Sequence, residues 1–127
     1  MMNISESSRG RLSAMDLSDI PFSIKRAFIV DKVGINCVRS DHAHVKDNQL
    51  LYCLNGSLKI KLTPTNLITT RHTLKIKDFI LIPKLTWSVI TFLDPNSSFI
   101  CFCSEKHDES EYIRDYNVFV QKFSNQT

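Results

Sequence analysis

The centre of the chain alternates between hydrophobic and polar residues with the two-residue period of a β-strand. In Ser57–Leu62 the leucine and isoleucine side chains share one face, while Lys59 and Lys61 point the other way. Many short strands separated at regular intervals by turn residues predict an all-β sandwich or small barrel. Segments of the same kind, bounded by residues that favour turns, lie at Ile24–Val30, Gln49–Leu54, Leu67–Leu74, Phe79–Ile82, Trp87–Phe92 and Phe99–Cys103.

Asn55-Gly56 separates two of these predicted strands. Asn-Gly favours a type I′ turn, which joins two antiparallel strands through a two-residue loop. We therefore predict a hairpin in which Gln49 opposes Leu62. Gln49 would then be the one polar side chain on an otherwise apolar face, which marks it as a candidate site residue.

A helix is predicted only near the end of the chain, where large apolar residues recur at spacings of three and four. Asp108 or Ser110 would begin this helix, and Lys122 would lie near its C-terminal end. The expected fold is therefore a β-sandwich or barrel with one short C-terminal helix. The residues at helical spacing are Tyr112, Ile113, Tyr116, Phe119 and Val120.

Composition and charge limit the possible functions. With 127 residues, 43% of them hydrophobic and 23% charged, residues 1–127 are expected to form one ordinary globular domain. The net charge of +3 suits a small anionic ligand such as a nucleotide-sugar and is too weak to indicate nucleic-acid binding. We see neither the apolar core of a signal peptide nor a segment long enough to span a membrane, so we expect a cytoplasmic location. The four cysteines lie mostly in strand-like contexts, where free cysteine packs as a small hydrophobic residue.

His42 and His44 are the strongest candidates for chemistry. Side chains two apart in a strand project from the same face, so both should point into the barrel or both away from it. The spacing from these histidines through Gln49 to Gly56 looks like the first motif of the cupin superfamily. A neutral amide stands where metal-binding cupins have a carboxylate, however, and the second-motif region Pro83–Val89 contains no histidine. Since a metal site needs more ligands than two histidines, we expect no metal and no other cofactor.

Without a metal, the pair suits proton transfer. Imidazole titrates near neutral pH, so one histidine can remove a proton while the other returns it or supports the charge. The neighbouring guanidinium of Arg39 could hold a phosphate through two hydrogen bonds or stabilise an enolate oxygen.

Six groups of residues, in order along residues 8–120, carry a family resemblance. They are Arg9-Gly10-Arg11-Leu12, Ile20-Pro21-Phe22-Ser23-Ile24-Lys25-Arg26, Arg39 with His42-Ala43-His44, Gln49 to Gly56, Ile82-Pro83 with Trp87, and Ser104-Glu105 with the run Asp108 to Tyr116. Together they resemble the small cupin enzymes called dTDP-sugar 3,4-ketoisomerases, the WxcM-like group.

The resemblance implies a cupin jelly roll and a homodimer whose N-terminal strands are exchanged between subunits. It implies metal-independent conversion of dTDP-4-keto-6-deoxyglucose to a 3-keto sugar through an enediol, an early step toward the deoxysugars of bacterial surface polysaccharides such as the O-antigen of lipopolysaccharide. It assigns acid–base roles to His42 and His44 and makes Arg26 and Arg39 candidates for diphosphate or enolate contacts. Gln49 is a further candidate for substrate binding.

The chain departs from the family pattern at four places. The strand Arg26–Val30 has no tyrosine, where family members usually place one. Ser40 replaces a glycine, Ser88 replaces a histidine or arginine, and His107 stands where another aromatic residue usually precedes Asp-Glu. These departures leave open a catalytically weak nucleotide-sugar-binding cupin or a related sugar-nucleotide epimerase or isomerase. A metal-dependent cupin oxygenase is disfavoured by Gln49.

Overall fold

The structure, a computed structural model, describes residues 2–124. Within them the chain forms eleven strands, one helix and two 3₁₀ turns, at Leu17–Asp19 and Glu109–Glu111. The predicted strand at Leu67–Leu74 begins three residues late, at Thr70, whereas the other predicted strands lie within two residues of the observed bounds. These bounds are β1 (Met2–Ser7), β2 (Gly10–Met15), β3 (Arg26–Val30), β4 (Val38–His44), β5 (Gln49–Asn55), β6 (Ser57–Thr63), β7 (Thr70–Lys75), β8 (Phe79–Ile82), β9 (Trp87–Phe92), β10 (Ser98–Cys103), β11 (Tyr112–Ile113) and α1 (Tyr116–Phe123).

Two antiparallel sheets face each other and enclose the core. One has the strand order β3-β10-β5-β8 and the other β11-β4-β9-β6-β7, while β1 and β2 form a separate two-stranded sheet. Alternate residues of both large sheets point inward, and Leu51, Ile60, Phe92 and Phe99 are among those that meet between them, each at most 3% exposed. The predicted all-β fold with one short C-terminal helix is confirmed.

The hairpin predicted at Asn55-Gly56 is wrong. β5 pairs with β10 and β8, whereas β6 pairs with β7 and β9, so the chain passes here from one sheet to the other. A type I′ turn needs positive φ at both central residues, but only Gly56 has one, at 70°. The corner is also tight, because a Cβ on Gly56 would lie 2.8 Å from Cα of Ser97. Gln49 consequently lies opposite Cys103 of β10 and not opposite a residue of β6.

The C-terminal helix begins later than predicted. α1 starts at Tyr116, where the Asp115 side chain accepts hydrogen bonds from two backbone N–H groups of the first turn. Asp108 instead caps the 3₁₀ turn that contains Ser110. The residues between, Tyr112–Ile113, form β11 and pair with the end of β4. No helix in residues 2–124 has the length and apolar character needed to cross a membrane.

β11 lies beside β4 at the edge of the sheet, and α1 packs over the outer face of β4. Ile113 and Phe119 pack with Ala43 and Trp87 in a second apolar cluster, and each of the four is at most 7% exposed. The indole N–H of Trp87 donates a hydrogen bond to Asp41 at 3.1 Å. Ile113 of β11 and Phe119 of α1 bury against the same neighbours although they belong to different elements.

Candidate active site

A bulge in β4 places the two histidines. Ser40 and Asp41 have positive φ values of 70° and 55°, and the register with β9 shifts between Ser40 and His42. Beyond the bulge His42 and His44 share the inner face, as the sequence predicted, while Ala43 between them packs in the outer cluster. Their Nε2 atoms lie 3.1 Å apart with the ring planes at 87°. At this distance one Nε2 carries a hydrogen and the other offers its lone pair.

Glu111, the residue before β11, sets the hydrogen position on His44. Nδ1–H of His44 donates to one oxygen of the carboxylate. The other oxygen accepts the backbone N–H groups of Lys46 and Asp47 at 3.1 and 3.0 Å. Since a carboxylate only accepts, the hydrogen of neutral His44 lies on Nδ1 and its Nε2 holds a lone pair. The hydrogen between the two rings therefore belongs to Nε2 of His42.

Gln49 lies beside the pair at the start of β5 and is 6% exposed. Its amide nitrogen donates to the Asp47 carboxylate at 3.0 Å and lies 3.4 Å from Nε2 of His44. Asp47 accepts one amide hydrogen, and the other lies between His44 and the sulfur of Cys103, which is 3.7 Å from the amide nitrogen. Gln49 thus supports a lone pair on Nε2 of His44, the same assignment that Glu111 requires.

His42 is the less buried member of the pair. Burial, followed by repulsion from His44 and Arg114, lowers the pKa of His42 to about 4 from 6.5. His42 is therefore uncharged near neutral pH. Nδ1 of His42 is buried and has no hydrogen-bond partner within residues 2–124. A lone pair without a partner is easier to bury than an N–H without one, in agreement with the hydrogen on Nε2.

A cavity of about 480 Å³ opens in front of the histidine pair. Its size falls in the range of pockets for small molecules. Arg39 and Arg114 are exposed, whereas His44 and Gln49 are buried, so the lining combines exposed cations with buried polar groups. The lining contains all five residues that the sequence selected, Arg26, Arg39, His42, His44 and Gln49, together with Phe28, Ser40, His107, Tyr112 and Arg114.

Arg26 forms one wall of this cavity. Its Nη1 donates to Nδ1 of His107 at 3.0 Å, its Nη2 lies 3.7 Å from the Asp47 carboxylate, and the guanidinium lies 5.2 Å from the centre of the Phe28 ring. Burial opposes a charge here, but hydrogen bonding to Tyr112 contributes to raising the pKa of Arg26 above its usual value. The site therefore holds a fixed positive charge within its wall.

Two of the departures from the family pattern meet in the structure. The Ser40 hydroxyl lies 2.7 Å from the hydroxyl of Ser88 and 3.3 Å from Nε2 of His42. Ser40 thus links Ser88 to the histidine that faces the cavity. Neither serine was among the residues selected from the sequence.

Sequence reasoning also missed Glu111, Tyr112 and His107. The predicted helix, beginning at Asp108 or Ser110, would place Glu111 in its first turn, yet Glu111 lies before β11 and is 6% exposed. The ring of Tyr112 lies 4.3 Å from that of His44 and 5.1 Å from that of His42, centre to centre. For Glu111 and Tyr112 the available signal was the family string from Asp108 to Tyr116, whose match gave them no role. His107 was noted only as a departure from the family pattern.

Three of the four cysteines are buried in the sheets, as predicted, and all four are free thiols. Cys53 lies in β5, and Cys101 and Cys103 lie in β10. In the part of the chain that the structure describes, no three His, Cys, Asp or Glu side chains are grouped to hold a metal ion.

Two facing antiparallel sheets around a histidine-lined cavity define a cupin-type jelly roll. A family model described as FdtA, WxcM-like, C-terminal matches residues 1–124. The TDP-4-oxo-6-deoxy-alpha-D-glucose-3,4-oxoisomerase of Aneurinibacillus thermoaerophilus is 32% identical over 113 residues, which are 88% of this chain and 81% of that protein. The chain belongs to the FdtA, WxcM-like family, as its sequence strings predicted.

Solved structures support the same assignment. The 3,4-ketoisomerase QdtA from Thermoanaerobacterium thermosaccharolyticum, in complex with TDP, superposes with a TM-score of 0.87 and 30% identity over 96% of this chain and 90% of that chain. A dTDP-4-dehydrorhamnose 3,5-epimerase from Bacillus anthracis, 12% identical over 87% of this chain and 73% of its own, shares the fold with a TM-score of 0.78. The predicted cupin-type fold and the predicted enzyme class, an isomerase of the intramolecular-oxidoreductase type, are confirmed.

Proposed function

We propose that this protein moves the keto group of dTDP-4-keto-6-deoxyglucose from C4 to C3 by metal-independent acid–base chemistry. The observation that carries the proposal is the histidine pair, held by Glu111 and facing a cavity lined with arginines. The named relative is a TDP-4-oxo-6-deoxyglucose 3,4-oxoisomerase, and the QdtA structure holds TDP, which supports the same substrate class.

The first step is removal of the C3 proton, which is acidic because C3 lies next to the C4 ketone. His42 is the less buried histidine, so it faces the substrate as the base. It takes the C3 proton, and one hydrogen passes to His44 across the 3.1 Å between the two Nε2 atoms. The positive charge then lies on His44 beside the Glu111 carboxylate, where burial strengthens the attraction between them. The two histidines thus take up one proton as a unit.

The second step returns the proton at C4. Loss of the C3 proton leaves an enediolate with its charge on O4 and a hydrogen on O3. When that hydrogen moves to O4 and a proton is delivered to C4, the electrons on O3 form the new C3 ketone. His44 returns its Nε2 hydrogen to His42, which gives up the proton. Protons and electrons balance within the substrate, so the reaction needs no cofactor.

Three side chains are proposed to bind the substrate. Arg39, exposed at the mouth of the cavity, suits the diphosphate, which a guanidinium can hold through two hydrogen bonds. Arg26 lies deeper in the wall and suits an enediolate oxygen. Gln49 presents its amide to His44 and forms the inner end of the cavity.

We further propose that residues 1–127 form one cupin domain that works as a cytoplasmic homodimer with exchanged N-terminal strands, in deoxysugar biosynthesis for surface polysaccharide such as the O-antigen. The outer face of the β3-β10-β5-β8 sheet supports the dimer, because Ile29, Leu54, Phe79 and Leu81 are each between 36% and 59% exposed. Sedimentation that gives a dimer for the wild type and a monomer for Leu81→Arg would support it. A wild-type monomer at all concentrations would contradict it.

The isomerase proposal is tested by following the sugar protons by NMR in D₂O with purified protein and dTDP-4-keto-6-deoxyglucose. We expect exchange at C3 and appearance of a 3-keto sugar, and loss of product with His42→Asn. His72→Asn is the matched control, because His72 is exposed on β7, outside the cavity lining. Wild-type protein with neither exchange nor product would refute this substrate.

A second candidate function is a nucleotide-sugar-binding cupin with little turnover. Phe28 favours it, because this ring lines the cavity without a hydroxyl on a strand where family members usually place a tyrosine. Calorimetry that shows binding of dTDP, together with no exchange in D₂O, would select this candidate over the isomerase.

A further inference from the structure

The proposed isomerisation needs two proton movements, and the histidine pair serves only one of them. One proton leaves C3 and arrives at C4. A second hydrogen must leave O3 and arrive at O4, or the new ketone cannot form. That transfer needs a group able both to donate and to accept a proton next to the two oxygens, as a phenol can.

Tyr112 stands where such a group is needed. β11 pairs Tyr112 with His44, and its half-buried side chain lines the cavity. Its ring meets the rings of His42 and His44 edge-on, with centres 5.1 and 4.3 Å away. A sugar ring that reaches His42 within this cavity therefore also lies against Tyr112.

The hydroxyl of Tyr112 lies beside Arg26 and His107. It lies 3.5 Å from Nδ1 of His107, a nitrogen that already accepts a hydrogen from Arg26 at 3.0 Å. A contact of 3.5 Å is at the limit of a hydrogen bond, so the O–H can turn toward a ligand. The guanidinium of Arg26 would stabilise the phenolate that forms when the proton leaves.

We propose that Tyr112 is a further catalytic residue, which carries the hydrogen from O3 to O4; the inference rests on the isomerase proposed above. The Tyr112 hydroxyl gives its hydrogen to O4 of the enediolate, which becomes an enediol, and the phenolate forms beside Arg26. The phenolate then takes the hydrogen of O3, which leaves the negative charge on O3. Protonation of C4 by the histidine pair completes the C3 ketone, and Tyr112 ends in its starting state.

Tyr112→Phe tests this role by separating the two proton movements. Enediolate formation needs the histidine pair and charge stabilisation, both retained in the variant, so exchange of the C3 hydrogen in D₂O should fall by less than about tenfold. Formation of the 3-keto sugar should fall by about 100-fold or more, the usual size of a lost acid–base group. The ratio of exchange to product therefore rises at least about tenfold.

Tyr116→Phe is the matched control, because Tyr116 lies in α1, packs on Trp87 and is not part of the cavity lining. It should leave both rates and their ratio at wild-type values. Equal losses of exchange and product in Tyr112→Phe, with a folded protein by thermal unfolding, would overturn the role of Tyr112 alone. Absence of both in the wild type would overturn the proposed function and this step with it.

Discussion

Replacing Glu111 by glutamine tests whether its carboxylate sets the hydrogen positions in the histidine pair. The amide oxygen can keep both backbone hydrogen bonds from Lys46 and Asp47, which turns the amide NH₂ toward Nδ1 of His44. Nδ1 must then present a lone pair, so the hydrogen moves to Nε2, where the Gln49 amide nitrogen lies 3.4 Å away. The pair loses the lone pair that receives the relayed hydrogen, as well as the charge that stabilises the protonated ring.

The expected loss is large in turnover and small in stability. A misplaced histidine tautomer in an acid–base site costs about 10²–10⁴ in kcat, or about 2.7–5.5 kcal/mol in the barrier. Because Glu111 lies behind the cavity wall, KM should stay within about threefold. The free energy of unfolding should fall by about 1–2 kcal/mol at most, since only the bond to His44 changes. NMR kinetics measure kcat and KM, and denaturant unfolding measures the free energy of unfolding. The ¹⁵N signals of the histidine rings report which nitrogens carry hydrogen.

Glu105→Gln is the matched control for this substitution. Glu105 is 39% exposed in its side chain and lies 3.7 Å from Lys25, away from the histidines, so it should leave kcat unchanged. The reasoning is refuted if Glu111→Gln keeps kcat within about tenfold of the wild type while Nδ1 of His44 still carries the hydrogen.

Three stability measurements test other parts of the structure. The pKa of His42 is about 4 in the folded protein and 6.5 in the unfolded chain, so the unfolded chain binds more protons between these values. The free energy of unfolding should therefore fall by up to about 3 kcal/mol as the pH drops from 6.5 to 4. His42→Asn should remove that part of the fall. Gly56→Ala should lower the free energy of unfolding, measured with denaturant, by about 2–4 kcal/mol, because the φ of Gly56 is 70° and Cα of Ser97 blocks the new Cβ. Gly10→Ala should lower it less, because no atom lies within 4 Å of a Cβ placed there. Asp115→Ala removes the cap of α1 and should cost about 1 kcal/mol by the same measurement.

The strands were predictable because burial of one face leaves a two-residue period in the sequence. β8 and β9 begin and end at the predicted residues. The partners were not predictable, because alternation specifies which face is buried but not which strand lies alongside. At Gly56, for example, the Asn-Gly sequence favours a hairpin, but in the structure it lies where the chain passes from one sheet to the other.

The histidine pair was predictable because both members belong to one strand, where spacing alone places them on one face. Glu111 was not, because it contacts His44 across 67 residues of sequence. The strand that brings it there, Tyr112–Ile113, is two residues long and shows no measurable period. Ile113 buries against the same cluster as α1 whereas Tyr112 lines the cavity, so the two residues matched a helical spacing without forming a helix.

The C-terminal segment therefore supports β4 from both sides. On the inner side it supplies Glu111 and Tyr112 to the histidines. On the outer side Phe119 packs against Ala43, the residue between those histidines, in the cluster that contains Trp87. Through its indole N–H, Trp87 also holds Asp41 in the bulge that turns the histidines inward. The same segment therefore holds the strand, the bulge and the carboxylate in place. The site is complete only when the C-terminal segment is packed against β4.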